Sequence, residues 1–595
     1  MPLINRPCAG PTFVLCIMAG AALLGAQASR PGQQPARDIP AQQTADAATP
    51  KGRITGRVVA LDTGRPIRRA RVFLTGAGIP GGRGVLTDDE GRFELTELPE
   101  GRYNLTAGKT GFITLAYGQR RPLQAGIPIQ LADGQQLTGV GFGLPRGSVI
   151  TGHVYDESGD PLPGANVRVM RYEYAQGNRQ LVPVGTAQTD DLGGYRVWGL
   201  NPGDYYVSAV TPNFGGGRGF GGFPGGPGFG RGGGPGVGRG TAAVGGTTPD
   251  PEQVGYAPTF YPGVPSVNDA RSVSVGLSVE VASIDFSVLL VRTSRVAGHV
   301  VNPDGTPTTA GNVILMPEGG ARTGRNGTFA SRIEWDGEFS MAGVSPGRYL
   351  LRARSDDTVE PQFALQPLTV SESDLPDLTV ILAAAASISG NVVFQNSQGQ
   401  QVPDPATVRV AAPLIDQIDI GPNPTARVEQ AGSFKLGGIQ AGTHLLRTQG
   451  SPRGWMLKSV TSNGRDIIDT PIELRSGQNL TGVTLVFTDR LSEVNGSITD
   501  DHNNPITDYT LLAFPQDERF WNAQSRYIMT TRPDQNGKYQ LRGLPAADYF
   551  LVAVDPAQQG EWFEPSYLTA HRDGATRFSI SEGDTITRDF KVNSR

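Results

Sequence analysis

Five carboxylates stand at one place in a repeated pattern: Asp88, Asp190, Glu334, Glu429 and Asp534. Acids so regularly placed could in principle ligate calcium or supply an acid–base pair. Each is followed three residues later by Gly91, Gly193, Gly337, Gly432 or Gly537, and two further on by an aromatic ring, Phe93, Tyr195, Phe339, Phe434 or Tyr539. Ten residues beyond the ring comes Tyr103, Tyr205, Tyr349 or Tyr549, with His444 in the fourth copy. The repetition itself argues against shared chemistry, because a bead-like array keeps each copy in its own folding unit and the carboxylates far apart. Turn capping accounts for the same residues: a carboxylate receives backbone N–H groups and the following glycine takes positive φ.

Other constellations are no richer. The histidines are His153, His299, His444, His502 and His571, and none has a glutamate at the spacing a zinc peptidase helix requires. His153 and His299 share one strand position in successive copies, which marks them as features of the repeat. Cys8 and Cys16 are the only cysteines and no Gly-x-Ser-x-Gly elbow occurs, so neither thiol nor serine catalysis is indicated. The expectation is a chain that is not an enzyme, with no catalytic residues, no metal and no cofactor.

The elements that carry the pattern read as short strands. Each copy opens on an alternating segment with a central glycine: Ile54–Val59, Ile150–Val154, Val296–Val300, Ile388–Val392 and Val494–Ile498. A turn rich in Asp, Gly and Pro follows, then a second strand such as Ala165–Val169, and the pair reads as an antiparallel hairpin. The acidic turn comes next, then the aromatic strand, a Pro/Gly turn, the tyrosine strand and a closing strand such as Leu378–Leu382. Six or seven short strands in about 100 residues suit a small β-sandwich. The predicted class is all-β, a tandem array of five Ig-like or transthyretin-like antiparallel sandwiches. Their expected spans are 53–145, 148–291, 294–383, 386–488 and 492–595. Independent beads of this kind would contact mainly their neighbours.

The opening Ile-Thr-Gly-x-Val at Ile54 and Ile150, the Thr-Asp step at Thr87–Asp88 and Thr189–Asp190, and the Leu-x-Pro-Gly-x-Tyr type of close resemble the carboxypeptidase regulatory-like domain. That resemblance implies a transthyretin-like sandwich without the peptidase. It covers nearly all of residues 53–595 and is weakest in the fourth copy, where His444 stands for the tyrosine. The Cna B-type domains are similar, but their crosslinking first-strand Lys is replaced here by Arg57, His153, His299, Asn391 and Ser497, which argues against an isopeptide bond.

Bulk properties narrow the partners. The chain of 595 residues carries a net charge of -4, so it offers no electrostatic case for nucleic acid. Arg6, an apolar run from Pro11 to Leu24, and Ala26-Gln27-Ala28 read as a signal peptide over residues 1–28. The run is too short for a membrane span, so no transmembrane span is expected in the mature chain. The expected location is exported: periplasmic, cell-surface or extracellular. Residues 29–52 read as a disordered leader. An insert at 215–240 is glycine at 16 of 26 positions, with Arg218, Arg231 and Arg239 among them; it reads as a flexible excursion.

Specific function is expected where the copies differ. The second carries Tyr256 and Tyr261, and the fifth carries Trp521, Trp562, Phe563 and Tyr567 beside Phe520 and Tyr527. Aromatic faces with a polar rim are what sugar rings stack upon, although such rings also fill sandwich ends and contacts between units. The reading is a scaffold or binding protein that recognises carbohydrate, a cell-wall polymer or other envelope proteins. A structural spacer or adhesion stalk and an accessory subunit of a separate peptidase or other hydrolase are the alternatives.

Overall fold

The computed structural model describes residues 52–592 apart from 77, 120–121, 176–177, 212–253, 319–327, 359, 398, 416–423 and 556–559. The signal segment, the leader up to residue 51 and the glycine-rich insert lie outside the described residues, while Gly52, expected in the leader, opens the first strand.

The first unit shows how the alternating segments become a sandwich. Its strands are β1 (Gly52–Ala60), β2 (Arg71–Gly76), β3 (Ile79–Leu86), β4 (Arg92–Leu98), β5 (Gly101–Gly108), β6 (Leu115–Ala116), β7 (Ile129–Leu131) and β8 (Gln136–Leu144). One sheet runs β4-β1-β8, and the other runs β3-β2-β5 with β6 and β7 both pairing β5. The inward residues of β1, β4 and β8 meet those of β2 and β5 in one core that includes Ile54, Val58, Phe93, Leu95, Val72, Leu74, Leu105 and Phe142. Period-two alternation produces this directly, since every second side chain faces the opposing sheet.

One sequence expectation is corrected. The first and second strands do not form a hairpin: β1 pairs β4 and β8, whereas β2 pairs β3 and β5. The turn between them crosses from sheet to sheet, leaving only an isolated bridge of Val59 to Pro66. Most strand pairs are antiparallel, as expected, and one kind of pair departs from this. β1 and β8 run parallel, and the same first-to-last pairing recurs in the other units. Parallel first and last strands put chain entry and exit at opposite ends of a sandwich, which is what head-to-tail repetition needs.

Buried side chains gather into one cluster for each of the five sequence copies. A sixth cluster lies in the fifth copy and joins Leu512, Phe514, Trp521, Ile528, Phe550, Val552 and Val554 with Leu568. Leu568 belongs to α1 (Pro565–Arg572). The strand Thr510–Pro515 is therefore buried on both faces, and its unbroken apolar run replaces alternation for that reason. No helix among the described residues is long and apolar enough to cross a membrane.

Candidate functional site

The repeated carboxylates are used by their own turns. Asp88 Oδ1 accepts from the N–H groups of Glu90 (3.0 Å) and Arg92 (2.7 Å). Asp190 does the same for Leu192 and Gly194, and Asp534 for Asn536 and Lys538. The hydrogen bonds of Arg92 hold the Asp88 carboxyl below the usual carboxylate range. Where glutamate replaces aspartate the longer side chain does not repeat this: Asp336 accepts from Glu338 N–H in the third unit, and Glu429 accepts from the Ser433 hydroxyl in the fourth. The backbone turn survives, with Gly91, Gly193, Gly337, Gly432 and Gly537 all at φ between 71° and 87°.

The glycine of each first strand has a second task. Gly56, Gly152, Gly298, Gly390 and Gly496 pair with the five aromatic residues Phe93, Tyr195, Phe339, Phe434 and Tyr539. A Cβ on any of them would lie 1.7–2.1 Å from a carbonyl oxygen of the closing segment. The glycine makes room for that carbonyl, and at Gly56 and Gly496 for the ring as well. In the second and fifth units the ring uses the same carbonyl, since Tyr195 Oη donates to Ile284 O at 2.7 Å and Tyr539 Oη donates to Arg588 O. Burial pushes both phenols up.

The later tyrosines pin a corner. Tyr103 Oη donates to Pro99 O (2.6 Å), Tyr349 to Ser345 O (2.8 Å), Tyr549 to Pro545 O (2.7 Å) and Tyr205 to Asn201 O, each four residues back. His444, the departure noted in the sequence, occupies the same corner, its Nε2 2.8 Å from Gln440 O four residues back. Its Nδ1 lies 2.8 Å from Ala412 O, so the ring sits between two carbonyls, and a neutral imidazole donates to one of them.

The largest departure from beads is a contact between the first and fifth units. Arg102 Nη2 donates to Arg532 O at 2.7 Å, and Arg532 Nη1 donates back to Ala125 O. The side-chain amide of Gln535 grips the backbone of Gln130 from both sides, accepting its N–H at 2.9 Å and donating to its carbonyl at 2.7 Å. Nearest-neighbour contacts alone do not describe this array. Beside the clasp lies a cleft of about 330 Å³ lined by Arg102, Asn104, Thr510, Thr530, Arg532 and Trp562. Arg532 is only 6% exposed. Burial lowers the Arg102 pKa, and the nearby Asp534 opposes that shift.

Residues 53–138 and 149–219 match the family described as the carboxypeptidase regulatory-like domain. The first two units carry this domain. No protein of curated function matches the chain. Among solved structures, the Bacillus anthracis TIE protein is 10% identical over 74% of this chain and 73% of its own, with a TM-score of 0.15. The minor pilin GBS52 of Streptococcus agalactiae is 13% identical over 40% of this chain and 96% of its own, at 0.20. Catechol 1,2-dioxygenase from Acinetobacter is 15% identical over 15% and 38%, at 0.12. Scores this low carry no argument about function.

Beyond the second regulatory-like match, Tyr256 Oη donates to Glu157 Oε2 at 2.8 Å, and burial followed by that carboxylate pushes the phenol up to about 12. Tyr261 sits edge-on to Phe286, with centroids 6.2 Å apart. In the fifth unit Trp521 is buried, its Nε1 donating to Pro515 O at 2.8 Å and its ring edge-on to Phe514. That ring fills the sixth cluster and offers no free stacking face, which corrects its reading as a ligand residue. Trp562, Phe563 and Tyr567 are half-buried against the same cluster, and of the six named aromatics Trp562 is the one that lines the cleft at the clasp. Phe520 and Tyr527 stack on each other at 4.4 Å beside a cavity of about 320 Å³ between the fourth and fifth units.

Sequence reasoning missed Arg102, Gln130, Arg532 and Gln535, which no repeat register marks. It also missed Trp335, 77% exposed inside the third acidic turn; an aromatic between the acid and the glycine of that turn was the available signal.

Proposed function

We propose that this chain is an exported, non-catalytic scaffold of surface or adhesion type that recognises a carbohydrate or cell-envelope polymer. The observation that carries the reading is where its chemically capable groups go. Asp88, Asp190 and Asp534 are committed to turn N–H groups, His444 and the corner tyrosines to carbonyls four residues back, and Tyr195 and Tyr539 to carbonyls of the closing segment. Side chains spent on holding backbone in place leave little to attack or protonate a substrate. The regulatory-like match of the first two units supports the same reading.

Residues 1–28 act as the export signal in this proposal, and the sandwiches divide at 53–145, 148–291, 294–383, 386–488 and 492–595. The clasp between the first and fifth units favours a binding scaffold over a linear spacer, because a stalk gains reach by keeping its ends apart. The test is co-sedimentation of the purified chain with insoluble cell-wall material and polysaccharides, run beside a hydrolase substrate panel. Saturable sedimentation without turnover is the expected result. Hydrolysis by the chain alone would overturn the non-catalytic reading, and failure to sediment with any polymer would overturn recognition.

A further inference from the structure

We propose that the cleft at the clasp is a subsite for an acidic sugar, a pyranose bearing a carboxylate within a polysaccharide. The inference rests on the recognition reading above and adds a place and a ligand chemistry. Its volume of about 330 Å³ falls in the range of small-ligand sites. The lining has the parts a sugar needs: the Trp562 indole as an apolar platform, and the Thr510 and Thr530 hydroxyls and Asn104 amide as hydrogen-bonding groups around it.

Charge narrows the class. Two guanidiniums, Arg102 and Arg532, line the cleft. The acid felt by Arg102 is Asp534, whose Oδ1 is committed to the N–H groups of Asn536 and Lys538. Arg102 Nη2 contacts neutral acceptors, Arg532 O and Thr531 Oγ1. Guanidinium offers five donors in a planar fork suited to a carboxylate, so the contacts that close the clasp leave Arg102 with donors to spare. A neutral sugar would use the platform and the hydroxyls but not the charge. Sequence composition hid this site because the whole chain is close to neutral, whereas the fold concentrates cations at one junction.

The test uses the full mature chain in affinity electrophoresis and calorimetry with polygalacturonate as the probe and dextran as its neutral counterpart, at low and high salt. Expected is binding to polygalacturonate that weakens as salt rises, falls about tenfold in Trp562→Ala, and is largely kept in Trp562→Phe. Thermal denaturation of each variant separates lost binding from lost folding, and Trp198→Ala serves as an exposed-tryptophan control. Equal binding of both polymers would overturn the acidic class. Undiminished binding by a folded Trp562→Ala variant would overturn the place while leaving recognition standing. Preference for a peptide C-terminal carboxylate over the polyuronate would assign the cleft to a protein partner and also overturn the proposal. Absence of binding to either polymer, with sedimentation by other wall material, would reject the acidic-sugar site alone.

Discussion

At the scale of single residues, the repeat is a set of close approaches and short hydrogen bonds. Gly390 is the sharpest case, since a Cβ there would lie 1.7 Å from Val483 O. Gly390→Ala must push the closing strand away, and overpacking of this kind costs about 3 kcal/mol; thermal denaturation should show the fourth unit melting early while the others hold. Tyr549→Phe removes a different contact, the buried bond to Pro545 O. Leaving that carbonyl without its donor should cost about 1–2 kcal/mol, read as a lowered denaturant midpoint at unchanged slope. His444→Tyr keeps the four-residue link but gives up the contact to Ala412 O, so it should be milder than His444→Ala in the same measurement. The tyrosines were legible in the sequence because their spacing never varies. What the strand glycines make room for was not legible, because the obstructing carbonyl comes from a closing segment far along the chain, Val483 for Gly390 and Ile284 for Gly152.

At the scale of elements, the parallel pairing of first and last strands hands each unit on to the next, and polar contacts then fix how adjacent units meet. Between the fourth and fifth, Asp469 takes a forked bond from Arg526 at 2.8–3.1 Å. Lys458 Nζ reaches Glu582 at 2.7 Å, and Thr488 donates to the same carboxylate. Partial burial pushes the Glu582 carboxyl up, but the bonds from Lys458 and Thr488 outweigh it and hold the pKa below its ordinary 4.5. A carboxyl depressed in the folded state stabilises above its unfolded pKa and loses that contribution as pH falls through the folded value. The junction should therefore be intact at neutral pH and loosen only below about pH 4.5. Hydrogen exchange across Lys458 and Glu582 should show this, and Lys458→Met should show the same loosening already at pH 7. The strands could be read from alternation, but the assignment of the first two to opposite sheets could not, because a turn sequence that closes a hairpin can equally cross a sandwich.

At the scale of the whole described chain, the clasp of Arg102, Arg532, Gln130 and Gln535 joins units that the sequence places more than 400 residues apart. Arg532→Ala combined with Gln535→Ala removes donors and acceptors on the fifth-unit side. The variant should retain its β-sheet circular dichroism while its radius of gyration in small-angle scattering increases. An unchanged radius would show that other contacts hold the ends together. The same variant should lose affinity for any ligand that needs both walls of the cleft.

The amino-acid sequence by itself determined the number of repeats, their β character and the turn, ring and corner positions, because each of these rests on local spacing: period-two alternation, an acid three residues before a glycine, a phenol four residues past its carbonyl. Tertiary structure alone decided which aromatics are spent and which remain available. Trp521 and Trp562 are both tryptophans of the fifth unit, yet α1 and its cluster bury one, and the approach of the first unit turns the other into a wall of a cationic cleft. Long-range packing chooses between such fates, and no spacing within one repeat encodes it.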